Sequence, residues 1–189
     1  MLLNGVRKAA IATGRGSGGI GMEPTMAVSL RESLQQVSDP RNLDASVEEV
    51  FQMMLGVNCL RDSTPADQIV KEAESVTAVV GFGGLLSGAC VFSCGCTAAM
   101  QIAAHMTGME FQDIDDTVKD GIGEICNMLA GAWKGKVPEL AANCGLSVPA
   151  VITGRDYMLH VQAPEFQLHH RYSFEASGFA VTIVCDGLQ

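Results

Sequence analysis

Basic residues are scarce in this chain. Twelve Lys and Arg stand against 21 Asp and Glu over 189 residues, for a formal net charge of −9. Arg7, Lys8 and Arg15 all fall before Met22, so from there on 9 basic residues face 21 acidic ones, a balance of 9 − 21 = −12. Nucleic-acid binding needs clustered Lys and Arg to displace counterions from phosphates, and this composition excludes it as a main function. An acidic surface suits a partner that brings a basic feature of its own. Long apolar runs are also lacking: none approaches the ~18 residues of a spanning helix. The basic N-terminal residues are followed by no apolar stretch of the kind that directs export. No P-loop and no Ser-His-Asp pattern occurs. Cysteine is not scarce, but the seven (Cys59, Cys90, Cys94, Cys96, Cys126, Cys144 and Cys185) are odd in number and scattered. Without an export signal they are expected to be reduced thiols of a cytoplasmic protein.

What is present is ample apolar material, 48% of the residues, enough for one domain that buries roughly 70% of its unfolded surface. Residues 1–26 are Gly-rich and aperiodic and are expected to be a disordered tail, with a single domain over 27–189; the composition shift makes Met22 or Met26 a candidate start. The string GRGSGG at Gly14 to Gly19 fits a dinucleotide fingerprint only literally, because no strand precedes it and Pro24 follows. Ser29 to Val37 suggests a helical lead-in closed by a turn at Asp39-Pro40. A helix capped by Asp44 or Ser46 then runs to Leu55 and Gly56, with Val47, Val50, Phe51 and Met54 inward. Residues 58–75 read as a polar connection. Ser75 to Cys94 reads as a β-hairpin about Gly83-Gly84, and Ala98 to Thr107 as a helix packing through Ala99, Ile102, Ala103 and Met106.

The last third alternates like strands: Leu146 to Thr153, Tyr157 to Gln162, Gln167 to Glu175 and Phe179 to Cys185, each bounded by Gly, Pro or Asp. Helices early and strands late imply an α+β fold, a mostly antiparallel sheet packed against two or three helices.

Between these halves lies Asp120 to Gly135, DGIGEICNMLAGAWKG, within a helix expected from about Asp115 to Gly135. Val118, Ile122, Ile125, Leu129 and Trp133 share one stripe and form its core face. Asp120, Glu124, Asn127 and Gly131 line up on the opposite face. Outward carboxylates are commonplace on helices, so the ridge by itself equally suits a solvated face. Interior glycines are different, since each costs roughly 0.8–1.0 kcal/mol relative to alanine. Gly121, Gly123, Gly131 and Gly135 therefore call for a compensating role, and close approach by another surface is the expectation.

The pattern Asp120-x3-Glu124-x2-Asn127, followed by Pro149 at the start of a strand within LSVPAVITGRDY, resembles the signature of the CheC/CheX family, phosphatases of response regulators in bacterial chemotaxis. The spacing to Pro149 is one residue short of the family's usual one, and the resemblance extends over about residues 44–186. One good motif per chain is closer to CheX than to CheC. The resemblance implies hydrolysis of the aspartyl phosphate on a CheY-type receiver domain. The receiver supplies Mg²⁺ and a lysine, and this chain has no cofactor of its own. It further implies that Asn127 positions the attacking water and that Glu124 docks on the receiver lysine. An amide accepts and donates hydrogen bonds but is no strong base, so the catalysis it can offer is positional. Asp120, Gly123 and Gly131 are expected to support docking, and a homodimer through sheet edges is implied as well. The alternative is a non-catalytic module that binds a phosphorylated receiver through the same helix.

Other constellations carry less. The first helix offers Asp44-x3-Glu48 with Phe51 where an Asn should stand, or Glu49-x2-Gln52 in a shifted frame, a degenerate second motif. Cys90, Cys94 and Cys96 lack zinc-finger spacing and read as buried strand-end thiols, so no metal site is expected. His160, His169 and His170 read as ordinary strand residues, and Trp133 and the methionines as core.

Overall fold

A computed structural model describes residues 36–63, 74–157 and 165–188. The expected tail, most of the helical lead-in, the GRGSGG string, His160 and the body of the Tyr157 to Gln162 strand lie outside them. The elements run α1 (Pro40–Leu55), β1 (Leu60–Asp62), β2 (Ser75–Gly84), β3 (Leu86–Gly95), α2 (Cys96–Thr107), α3 (Asp116–Gly135), α4 (Pro138–Asn143), β4 (Cys144–Leu146), β5 (Ala150–Gly154), β6 (Phe166–Phe174) and β7 (Ser177–Leu188). Among the described residues the strands form one seven-stranded sheet in the order β1-β6-β7-β3-β2-β4, with β5 also paired to β2. Every pairing is antiparallel. This is the α+β architecture expected from the order of helical and strand patterns.

One face of the sheet is apolar. Val76, Ala78, Val80 and Phe82 of β2, Cys90, Phe92 and Cys94 of β3, and Phe179, Val181 and Ile183 of β7 are all buried. Their pairing in register keeps them on one side. The helices cover this face. Phe51 of α1 stacks on Phe179 with ring centroids 4.4 Å apart and also meets Phe92 and Phe174. α3 lies across β2 and β3 and packs on α1 and α2. Its buried residues include Val118, Ile122, Ile125, Leu129 and Trp133, the stripe read from the sequence. Burying five such side chains contributes ~1.5–3 kcal/mol each, which outweighs the cost of the helix's glycines.

The hairpin β2–β3 turns at Gly83, Gly84 and Leu85. A bulge follows between Ser87 and Gly88 against β7. Gly88 has φ +155°, and any Cβ there would run into the carbonyl oxygen of Val184, so only glycine fits.

Local chemistry corrects several boundaries. α1 starts at Pro40, not at Asp44 or Ser46: Asp39 is the N-cap and accepts from the Arg41 amide, with Pro40 at the first helical position. The Asp39-Pro40 pair thus opens α1 as well as closing the lead-in, whose helical residues end at Val37 with a turn at Ser38. Ser46 lies inside the helix and donates to the Asn42 carbonyl at 2.7 Å. Pro138 likewise begins the short helix α4 rather than only ending α3. The short strand β1 lies within the stretch expected to be a polar connection and pairs with β6. Of the methionines expected in the core, Met53 is 64% exposed and Met109 54%.

The strand expected over Leu146 to Thr153 is broken. Leu146 pairs with Phe82, the Ser147 amide donates to the Gly81 carbonyl at 2.9 Å, and Ala150 pairs with Val79. Val148 and Pro149 therefore both fall opposite the single residue Val80. That is a bulge, one extra residue that bends the strand and re-aims its side chains.

Candidate active site

α3 is placed by both its ends and its core face. Asp115 caps it, its carboxylate accepting from the Val118 amide at 2.9 Å, and Asp116 adds a carboxylate to the first turn, where the helix dipole favours it. With the apolar stripe held on β2 and β3, the outward ridge is fixed. Asp120 and Glu124 are exposed and Asn127 is half-buried. Among the described residues, the side chains of Asp120, Glu124 and Asn127 make no hydrogen bond or ion pair. The neighbouring cation Lys119 is engaged by Asp116 at 3.0 Å. Two carboxylates and an amide are thus held on a rigid helix with their bonding capacity unspent.

The glycines divide by what they face. A methyl group at Gly123 would lie 3.3 Å from Pro149 Cβ and 3.4 Å from Val151 Cγ2, and Gly123 is buried. One at Gly121 would meet Met106 and Ala103 of α2. At Gly131 it would only graze Leu146 Cδ1, at 4.0 Å. The expectation of room for a partner at Gly123 is therefore corrected: that room is filled by this chain's own bulge, because the extra residue drives Pro149 against the helix. Gly131 stays half-buried at the edge of the ridge. Gly123, Asn127 and Gly131 are spaced four apart and share a stripe, so Asn127 is bracketed by two residues without side chains along the β4–β5 edge.

The degenerate motif on α1 is used differently. Phe51, in the Asn position, is fully buried in the aromatic cluster. Glu49 is engaged by Lys136 Nζ, which ties α1 to the turn after α3. Asp44 is the hub of a polar network. Its Oδ1 lies 2.9 Å from His170 Nδ1 and accepts from the Tyr172 hydroxyl at 2.8 Å. Its Oδ2 accepts from Arg61 Nη1 at 2.9 Å, and Arg61 Nη2 sits 3.0 Å from His170 Nε2. A guanidinium can only donate, so Nε2 accepts and the proton is on Nδ1, directed at Asp44. Burial, then the bond to Asp44, pushes the Tyr172 hydroxyl well above the usual phenol range. His170, expected to be an ordinary strand residue, is instead held between Asp44 and Arg61. The available signal was its parity: it shares a face with Leu168, Tyr172 and Phe174, where a polar group needs partners.

Cys90 and Cys94 are buried in β3, and Cys96 opens α2 with its thiol against the Glu74 carbonyl. Among the described residues no three His, Cys, Asp or Glu side chains converge as metal ligands.

Residues 76–170, half of the chain and all of α3 with its ridge, match the family described as chemotaxis phosphatase CheX. The chain belongs to the CheX family. A curated relative, the CheY-P phosphatase CheX of Thermotoga maritima, is 29% identical over 122 residues, which cover 62% of this chain and 79% of that protein. Among solved structures, chemotaxis protein CheX from Vibrio vulnificus superposes with a TM-score of 0.64 at 19% identity, over 79% of this chain and 98% of that one. The CheX-CheY-BeF3-Mg²⁺ complex from Borrelia burgdorferi gives 0.63 at 20% identity, over 79% and 98%. These likenesses share the CheX fold with the present sheet and helices.

Proposed function

We propose that this CheX-family chain hydrolyses the aspartyl phosphate of a CheY-type receiver domain, with Asn127 and Glu124 as its working side chains. What carries the proposal is the state of these two residues: exposed or half-exposed on a rigid helix and, among the described residues, bonded to nothing in their own chain. A catalytic ridge that completes another protein's site must have this property.

In the proposed mechanism the receiver brings the phosphoryl group, the Mg²⁺ that neutralises its oxygens, and a lysine. Glu124 pairs with that lysine and sets the register of docking. Asn127 then lies against the phosphoryl group, its carbonyl accepting from a water and its amide donating to a phosphoryl oxygen. The water attacks phosphorus in line with the aspartyl oxygen, the P–O bond to the receiver carboxylate breaks, and inorganic phosphate leaves. Loose phosphoryl-transfer transition states need little help from a base and much from alignment, which suits an amide. The curated Thermotoga relative is named for the same activity on CheY-P, and the Borrelia complex pairs a CheX with a CheY carrying BeF3 and Mg²⁺. The reading includes a cytoplasmic homodimer, for which β5 offers a sheet edge. Light scattering of the purified protein tests that part.

The main test follows phosphoryl loss from a labelled receiver. Wild-type protein accelerates it, Asn127→Ala removes the acceleration while still binding the phosphorylated receiver, and Glu124→Ala weakens both. Acceleration by both variants at the wild-type rate overturns the mechanism. Phosphorylation-dependent binding without acceleration by the wild type establishes the non-catalytic module instead.

A further inference from the structure

The ridge is not the whole of the surface that a docked receiver would cover. Pro149 presses on Gly123, the residue next to Glu124, so the β4–β5 bulge stands directly beside the ridge. Val148 precedes it in the same bulge and is 86% exposed, more than Leu60, Met53, Met109 or Ile152, the other exposed large apolar residues among those described. Ile152 does not belong to this patch. It pairs with Thr77, on the sheet face away from the helices, whereas Val151 of the same strand points at α3. Val148 and Pro149 thus form a small apolar knob next to two carboxylates, Asp120 and Glu124, that are unpaired among the described residues.

We infer that the Val148–Pro149 bulge is the apolar half of the receiver-docking surface. It is continuous with the Glu124–Asn127 ridge through the Pro149–Gly123 contact, and it anchors the receiver while Glu124 sets register. The inference rests on the proposed function and deepens it. Its logic is that of interfaces generally. A few desolvated apolar contacts supply affinity, and charged groups at the rim supply orientation. On this ridge Asp120 and Glu124 can orient a cationic group but bury little area. A bulge held against the helix is a rigid place for the missing apolar contact. Proline at 149 fixes its own φ and Gly123 accepts its ring, so Val148 is presented with little conformational freedom left to lose.

The experiment is receiver dephosphorylation across a range of phosphorylated-receiver concentrations, with Val148→Asp, Val148→Ser and Leu60→Asp beside wild type and Asn127→Ala. Leu60 lies in β1 at the far edge of the sheet and is 71% exposed, so Leu60→Asp controls for a new surface carboxylate. Val148→Asp should raise KM at least tenfold and Val148→Ser by less, the loss falling on KM rather than kcat, while Leu60→Asp matches wild type. An unchanged KM in Val148→Asp overturns the inference. An unchanged KM joined to a loss of dimer by light scattering reassigns the knob to contact between copies. If wild type binds but does not accelerate, the same variants are compared by Kd, which separates failure of the catalytic reading from failure of the docking inference. If wild type neither binds nor accelerates, both fall.

Discussion

Pro149 occupies the space where a side chain at position 123 would begin. Gly123 is buried in α3, and a methyl group on it would sit 3.3 Å from Pro149 Cβ and 3.4 Å from Val151 Cγ2. Two effects oppose each other on substitution. Alanine gains about 1 kcal/mol of helix propensity over glycine, but it pushes the bulge away by a few tenths of an ångström. Gly123→Ala should therefore unfold in urea within about 1 kcal/mol of wild type. Gly123→Val has no such compensation, and overpacking should cost it about 1–3 kcal/mol. A wild-type midpoint for the valine variant would show that the Pro149 contact does not constrain the helix.

How much of this was legible beforehand follows from the range of each signal. The apolar stripe Val118, Ile122, Ile125, Leu129 and Trp133 has a period of 3.6, and periodicity survives folding because it causes the burial. The ridge is its geometric complement, so Asp120, Glu124 and Asn127 could be placed on one face from spacing alone. What spacing cannot give is which glycine meets what. Gly123 and Gly131 look equivalent along the helix, yet one faces Pro149 and the other only grazes Leu146, because strands distant in sequence decide the contact. The bulge was hidden for a related reason. Leu146 to Thr153 carries β-forming residues on both sides of Pro149; a proline there signals an edge or a bulge, but the extra residue shows only when β4 and β5 are paired with β2. Asp39-Pro40 was ambiguous chemically: the same dipeptide suits a turn and a helix N-terminus.

Asp44 should prove structural. Replacing it with alanine leaves His170 Nδ1–H, the Tyr172 hydroxyl and Arg61 without their shared acceptor, and stranding buried donors costs about 1–3 kcal/mol. The side chain is 32% exposed, so water can answer part of the need and the lower half of that range is expected. Asn keeps one carbonyl oxygen, so Asp44→Asn should lose less. Urea midpoints of the two variants give the comparison, and receiver dephosphorylation at saturation should be unaffected by either. Equal stability of Asp44→Ala and wild type would mean the network adds nothing.

Cys59 is only half-buried, yet it should react slowly. Burial, and secondarily the Glu48 carboxylate, pushes its thiol up to about 12. At pH 8 the thiolate fraction is then about one in 10⁴, so alkylation should be roughly a thousandfold slower than for a free cysteine. Glu48→Gln should speed it severalfold without restoring the free rate, because burial is the larger cause. Cys185, buried and also pushed up to about 12, should be slower still, since access is lost as well. The linkage has a definite sign. Between the ordinary thiol value of 9.0 and about 12, the unfolded chain gives up protons that the folded one keeps. Both groups therefore make the fold less stable as pH rises through that window. Mass spectrometry of timed iodoacetamide reactions, with a urea-denatured control, reads the alkylation part. Alkylation of Cys59 at the free rate would refute it.

Asn127 is where chemistry and geometry can be separated. Asn127→Asp conserves shape and one acceptor but replaces the amide donor with an anion, facing a phosphoryl group that is itself anionic. It should lose the acceleration as fully as alanine, and bind the phosphorylated receiver less well than alanine does. Asn127→Gln keeps the amide but carries it one methylene further from the helix. If alignment of the water is the source of rate, a displacement on the order of 1 Å should cost about a hundredfold. Binding should be nearly unchanged, since Glu124 and the knob at Val148 are untouched. Single-turnover rates at saturating protein, paired with equilibrium binding to the phosphorylated receiver, distinguish the two losses. Glutamine as active as asparagine would show that the amide is needed only for its hydrogen-bonding type. Aspartate as active as asparagine would point to a general base at this position, and the positional mechanism would then be wrong.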